Sequence, residues 1–102
     1  SGSLTVQYNF EWDPQKAEAN RKKHGVSFDH AATMFNDPRM LTLFDSQHSE
    51  NEDRWISMGL ASSGKLIVVC HTFVEENKDV AKIRIISSRK ATKQESKQYQ
   101  HG

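Results

Sequence analysis

Leu66-Ile67-Val68-Val69-Cys70-His71-Thr72-Phe73 is apolar at odd and even positions alike. Successive side chains of a strand point to opposite faces, so a run that is apolar on both belongs in the interior of a sheet. Ala61-Ser62-Ser63-Gly64, just before it, has the composition of a hairpin loop. Arg54 to Leu60 then reads as the neighbouring strand, with Trp55, Ser57 and Gly59 on one face and Ile56, Met58 and Leu60 on the other. Met40 to Phe44 is a further strand, and the acidic Asp45–Asp53 segment a loop. On the other side, Val74 to Asp79 is an acidic loop and Lys82 to Ser88 a strand.

Helices occupy both ends. After a short strand from Tyr8 to Trp12, Asp13 is placed to cap a helix whose first residue is Pro14, where a missing N–H does no harm. That helix runs to about Lys23, and Gly25 is a left-handed stop. Ser27 caps a second helix, in which Phe28, Ala31, Ala32 and Phe35 form one apolar stripe, and Asn36-Asp37-Pro38 ends it. Thr92-Lys93-Gln94-Glu95 has the spacing of a capping box, so a short third helix follows. It carries little apolar except Tyr99 and is expected to fray without a partner. The resulting expectation is an α+β domain of two layers: two helices packed on a mainly antiparallel meander sheet, with a short C-terminal helix.

A length of 102 residues suits a single domain, taken as 8–100. Residues 1–7 are expected to be a disordered tail, and Ser1-Gly2-Ser3 reads as a cloning scar. With 35% hydrophobic residues and a mean hydropathy of −0.76, the core is thin and the surface wet. No run of about 18 apolar residues is present, nor a signal-peptide core, so no membrane association is expected. The lone Cys70 allows no internal disulfide and reads as a buried structural thiol, and a cytoplasmic protein is the simplest expectation.

Net charge is only +1, but the charges are segregated. Between residues 27 and 53 stand Asp29, Asp37, Asp45, Glu50, Glu52 and Asp53 against Arg39 alone. Two basic clusters lie outside: Lys16, Arg21, Lys22 and Lys23 with His24, and Lys82, Arg84, Arg89, Lys90, Lys93 and Lys97. Brought together they would make a patch suited to phosphate; kept apart they are two solvated faces. The five histidines show no i, i+4 pairing on a helix and there is no Cys-x-x-Cys, so no metal site is expected. No Gly-x-Ser-x-Gly elbow, Gly-x-Gly-x-x-Gly turn or phosphate-binding loop occurs, so no cofactor is expected either.

In the strand Lys82-Ile83-Arg84-Ile85-Ile86-Ser87-Ser88-Arg89, strict alternation sends Ile83, Ile85 and Ser87 one way and Lys82, Arg84, Ile86 and Ser88 the other. An arginine between isoleucines suits bidentate contact with a phosphate, or equally an ion pair with an acid such as Glu52. Arg89 adds a second guanidinium at the strand end. His71 is either a core or rim histidine or a group that moves protons. Lys23, His71, Arg84 and Arg89 are the catalytic candidates, and His24, Arg54, Lys82 and Lys90 the substrate-binding ones. Such a set suits metal-independent RNA cleavage, in which the 2′-OH attacks the adjacent phosphate while the protein removes one proton, donates another and neutralises the phosphorane.

Phe10-Glu11-Trp12-Asp13, Lys16, Asn20 and Lys23-His24-Gly25-Val26-x-Phe28 resemble the opening of the BrnT toxins. The same family pattern is found in Phe35-x-Asp37-Pro38, in Asp45-x-x-His48-Ser49-x-x-Glu52-x-Arg54, in Arg84-Ile85-Ile86-Ser87-x-Arg89-x-Ala91, and in Glu95 and Tyr99, so that the likeness spans about residues 8–100. The resemblance implies a RelE-like endoribonuclease toxin of a bacterial type II toxin–antitoxin pair that inhibits translation. It also implies a ribbon-helix-helix antitoxin (BrnA-like) that neutralises the toxin in a 2:2 complex, with operator DNA reached only through that antitoxin. Where the family usually has a basic residue before the hairpin, this chain has Met58-Gly59-Leu60, and the loop after Thr72 is longer and more acidic. One basic contact is therefore expected to be missing, which leaves open a catalytically weak relative acting as an antitoxin-binding corepressor.

Overall fold

The computed structural model describes residues 7–101, so residues 1–6 of the expected tail lie outside the described part. Gln7, which was assigned to that tail, instead opens the first strand. In order, the chain forms β1 (Gln7–Glu11), α1 (Pro14–His24), α2 (Phe28–Ala32) with a 3-10 turn over Thr33–Asn36, β2 (Leu41–Phe44), β3 (Arg54–Leu60), β4 (Leu66–Thr72), β5 (Val74–Asn77), β6 (Val80–Lys90) and α3 (Lys93–His101).

The caps read from the sequence are present. Asp13 accepts from the Gln15 N–H at the start of α1, Gly25 takes a left-handed φ of 73° at its end, and Ser27 accepts from the His30 N–H. At α3, Thr92 and Glu95 complete the capping box in both directions, at 2.8 and 3.1 Å.

The six-stranded sheet runs β1-β6-β4-β3-β2, with β5 paired to β6 beside the end of β4. β4 is interior, as its apolar faces require. Two features correct the antiparallel meander. First, β1 pairs with β6 in parallel, Phe10 opposite Ile83, so the sheet is mixed. Second, the acidic segment after Phe73 is a strand, β5, exposed along its whole length.

α1, α2 and the 3-10 turn cover one face, where Val26, Phe28, Ala31, Met34 and Phe35 meet Ile67, Val69, Ile83 and Ile85. On the opposite face α3 lies across Met58 and Val68 through the buried Tyr99. The two-layer expectation is thus replaced by a sheet with helices on both sides. α3 does not depend on its own weak propensity. The Tyr99 hydroxyl donates to Asp37, which also accepts from the backbone N–H groups of Leu60 (2.8 Å) and Arg39 (2.9 Å). Gly59 makes this corner compact, since a Cβ there would come within 3.0 Å of Met34.

α1 is fixed to β6 by Asn20, the buried residue of an otherwise polar helix. Its amide nitrogen donates to the carbonyls of Val26 (3.1 Å) and Ser88 (2.9 Å), and its amide oxygen accepts from the Ser88 N–H (3.1 Å). Among the described residues no helix is long and apolar enough to cross a membrane.

Candidate active site

β6 carries most of the candidate cations, and a bulge decides which way they point. Cys70 pairs with Ser87 but the next residue, His71, pairs with Ile85, so Ile86 is an extra residue on β6. Strict alternation therefore fails there. Ser88, expected on the Arg84 side, is instead 1% exposed and turned toward Asn20. Arg89, opposite Val68, falls on the α3 face together with Arg84.

Three charged side chains meet where β6 passes the start of β3. Arg84 Nη2 donates to Glu52 Oε1, and Arg54 Nη2 stands 3.5 Å from the same oxygen. Arg84 is also held through its backbone N–H, which donates to the Thr72 hydroxyl at 3.2 Å. Glu52, Arg84 and Lys82 line an open cavity of about 340 Å³. Glu52 and Arg54 also line a second one, of about 260 Å³, beneath the Gln47–Asn51 loop. Arg54 Nε is buried without a hydrogen-bond partner among the described residues, which leaves one guanidinium donor unused beside the carboxylate.

Lys82 pairs with Glu11 of β1 at 2.9 Å, which raises its pKa. Arg89 makes a bidentate pair with Glu95 of α3, at 2.7 and 2.9 Å. That guanidinium holds the Glu95 carboxyl down at about 2. Each candidate cation of β3 and β6 except Lys90 thus has an acidic partner. The reading of Arg84 as an ion-pair partner of an acid such as Glu52 describes this arrangement directly.

His71 lies on the other face of the sheet. It is 2% exposed and packs edge-on against Phe35, ring centroids 4.9 Å apart. Its Nδ1 donates to the Thr72 carbonyl at 2.9 Å, so Nε2 is the acceptor, and the Ser57 hydroxyl donates to it at 2.7 Å. Burial lowers the pKa of His71. Lys23 and His24 end α1, exposed, near the Ser88 end of β6, and Lys90 is at that end too, opposite Ile67. The eight candidates are therefore not one cluster: Arg54, Lys82 and Arg84 come together, Arg89 lies along the same face, and Lys23, His24, Lys90 and His71 lie elsewhere.

Glu52 is the residue that sequence reading missed as a site centre. Its signal was the alternating Glu52-x-Arg54 opposite a strand arginine, but the loop around it is so acidic that no single carboxylate stands out. Among the described residues no group of three metal-ligating side chains forms.

A family model described as the ribonuclease toxin BrnT of type II toxin–antitoxin systems matches residues 12–95. The crystal structure of the Brucella abortus ribonuclease toxin BrnT superposes with a TM-score of 0.57 at 20% sequence identity, over 89% of this chain and 100% of that one. That likeness establishes a shared fold. No curated protein sequence matches the chain.

Proposed function

The chain belongs to the BrnT family of ribonuclease toxins of type II toxin–antitoxin systems, and from that premise we propose that it cleaves RNA without a metal, at the cavity around Glu52, Arg54 and Arg84. The observation carrying this reading is a carboxylate held between two guanidiniums: Glu52 lines one open cavity with Arg84 and a third cation, Lys82, and a second cavity with Arg54. A scissile phosphate entering there competes with Glu52 for Arg84 and Arg54, which suit its oxygens bidentately. As the arginines turn to the phosphate, Glu52 is released within reach of the ribose and takes the 2′-OH proton. The 2′-oxygen attacks phosphorus, Arg84, Arg54 and Lys82 neutralise the phosphorane, and the 5′-oxygen leaves with a proton from solvent in the open cavity.

Arg89 extends the cationic track on the same face. Lys23, His24 and Lys90 serve the flanking backbone rather than the reacting atoms, and His71 acts through the residues it orders. In this reading the fold is the RelE-like ribonuclease fold and the product is arrested translation in the bacterial cytoplasm. The partner is a BrnA-like ribbon-helix-helix antitoxin in a 2:2 complex, which alone contacts operator DNA and neutralises the toxin by covering the Arg84–Arg89 face.

One observation favours a second reading, a weakly active corepressor: Arg84, Arg54, Lys82 and Arg89 already have acidic partners, and substrate must displace them. Purified chain with a defined RNA separates the two. Cleavage that survives EDTA and is lost in Glu52→Gln and Arg84→Ala supports the ribonuclease. Intact RNA, with antitoxin binding and operator repression retained, supports the corepressor.

A further inference from the structure

An aromatic cavity takes no part in the proposed reaction. On the face opposite Arg84, this open cavity of about 230 Å³ is lined by the rings of Tyr8, Phe35, Trp55 and Phe73, with Thr42 and Ser57 at its polar edge. No charged residue lines it. Its contents must be neutral, and rings on several sides suit a flat aromatic ligand.

The polar edge has a fixed sense. His71 Nδ1 donates to the Thr72 carbonyl, so Nε2 takes the Ser57 hydrogen, and the Ser57 oxygen in turn takes the hydrogen of Thr42 Oγ1 at 2.9 Å. Thr42, at the exposed end of this chain, is left with free lone pairs only. At its Thr42 end the cavity therefore offers an acceptor and suits a ligand that leads there with an N–H donor.

Position links this cavity to the reaction. Phe73, between β4 and β5, lines both it and the Lys82–Arg84 cavity, and remains 43% exposed. Arg54 and Trp55, consecutive on β3, line different cavities: Arg54 the one beneath the Gln47–Asn51 loop, which shares Glu52 with the Lys82–Arg84 cavity, and Trp55 the aromatic one. A phosphate at Arg84 and an aromatic ring beside Trp55 are thus separated by one phenylalanine.

We propose that the aromatic cavity is a nucleobase subsite of the ribonuclease. The base adjoining the scissile phosphate turns past Phe73, stacks against Trp55, and donates an exocyclic N–H to Thr42 Oγ1. Adenine and cytosine present that amino group, whereas uracil presents a carbonyl oxygen at the equivalent position and is disfavoured. This inference rests on the ribonuclease reading and adds a base preference to it. The rival occupant, an apolar side chain of the antitoxin, is an outcome of the same experiment.

The test titrates purified toxin with AMP, UMP and ribose 5-phosphate, following the indole N–H resonance of Trp55 by NMR and the overall Kd by calorimetry. AMP is expected to bind at least about 10-fold tighter than ribose 5-phosphate, as one stacked base contributes, and to shift the Trp55 resonance. Thr42→Val, nearly isosteric on an exposed edge strand, is expected to abolish the preference for AMP over UMP. Equal affinities for AMP and ribose 5-phosphate with an unmoved Trp55 overturn the subsite while leaving the phosphate site standing. So does a Trp55 resonance that moves with antitoxin but not with AMP. If ribose 5-phosphate does not bind and RNA is not cut, the ribonuclease reading has failed and the subsite falls with it.

Discussion

Arg84 and Arg89 leave β6 on the same face of the sheet although they are five positions apart, an offset that places residues of a regular strand on opposite faces. The extra residue Ile86 makes this possible by reversing the alternation between them. Their surroundings then differ. Arg84 faces Glu52 in an open cavity, whereas Arg89 is tied to Glu95 of α3.

Replacing the two arginines should therefore separate chemistry from structure. Arg84→Ala is expected to reduce RNA cleavage by about 10²-fold or more, the usual loss for one transition-state donor, with a nearly unchanged melting temperature. Arg89→Ala should lower the melting temperature as well, because it leaves Glu95 without its partner. Single-turnover cleavage and calorimetry on both variants check this. A fully active, folded Arg84→Ala protein would exclude the assignment.

Asn20→Ala is expected to destabilise the domain by about 2–4 kcal/mol, since it leaves the buried Ser88 N–H and the Val26 and Ser88 carbonyls short of partners. Urea unfolding provides the measurement. A loss below about 0.5 kcal/mol would mean that water replaces the amide.

Glu95 gives the protein an acid limb. Its folded pKa of about 2 lies below the ordinary 4.5, so its contribution is complete above about pH 4.5 and is lost as pH falls toward 2. Glu95→Gln should flatten that part of the stability–pH curve and leave the neutral region lower but parallel. An unchanged slope between about pH 4.5 and 2 would place the limb on other carboxylates.

His71 should resist protonation. Its pKa is lowered by burial, so the unfolded chain takes up a proton below about 6.5 that the folded chain refuses, and stability falls as pH drops through that value. The ¹⁵N shifts of its ring are expected to report a neutral, Nδ1-protonated imidazole from about pH 8 to 5.5. Titration near the free-histidine value would contradict the closed Thr42–Ser57–His71 chain.

Local signals in the sequence carried through to the structure. Asp13-Pro14, Gly25, Ser27 and the Thr92–Glu95 box each mark a helix end by chemistry confined to a few neighbours, and the doubly apolar Leu66–Thr72 run marks an interior strand. What was not legible depends on distant partners. β5 is exposed on both faces and so has no periodicity to read. The parallel pairing of β1 joins residues more than 70 positions apart. The Ile86 bulge has no marker such as Gly, and without it the face of Ser88 and Arg89 is misassigned. Tyr99 looked too little to hold α3 because its partner, Asp37, lies on the far side of the chain. For the candidate site, the sheet places His71 on one side and the arginines on the other, a separation that no local pattern in the sequence announces.

The place of β6 bears on how the molecule comes into being. β2, β3 and β4 can pair as soon as they are made, each with its neighbour in sequence. β1 has no partner until residues 80–84 are synthesised, and the free edge of β4 stays open until residues 85–90 follow. A nascent chain therefore waits on its last strand, a long-range closure of the slow kind. That strand also brings Arg84 and Arg89. During synthesis the unfinished domain thus presents an open strand edge, the kind of surface on which unwanted pairing begins.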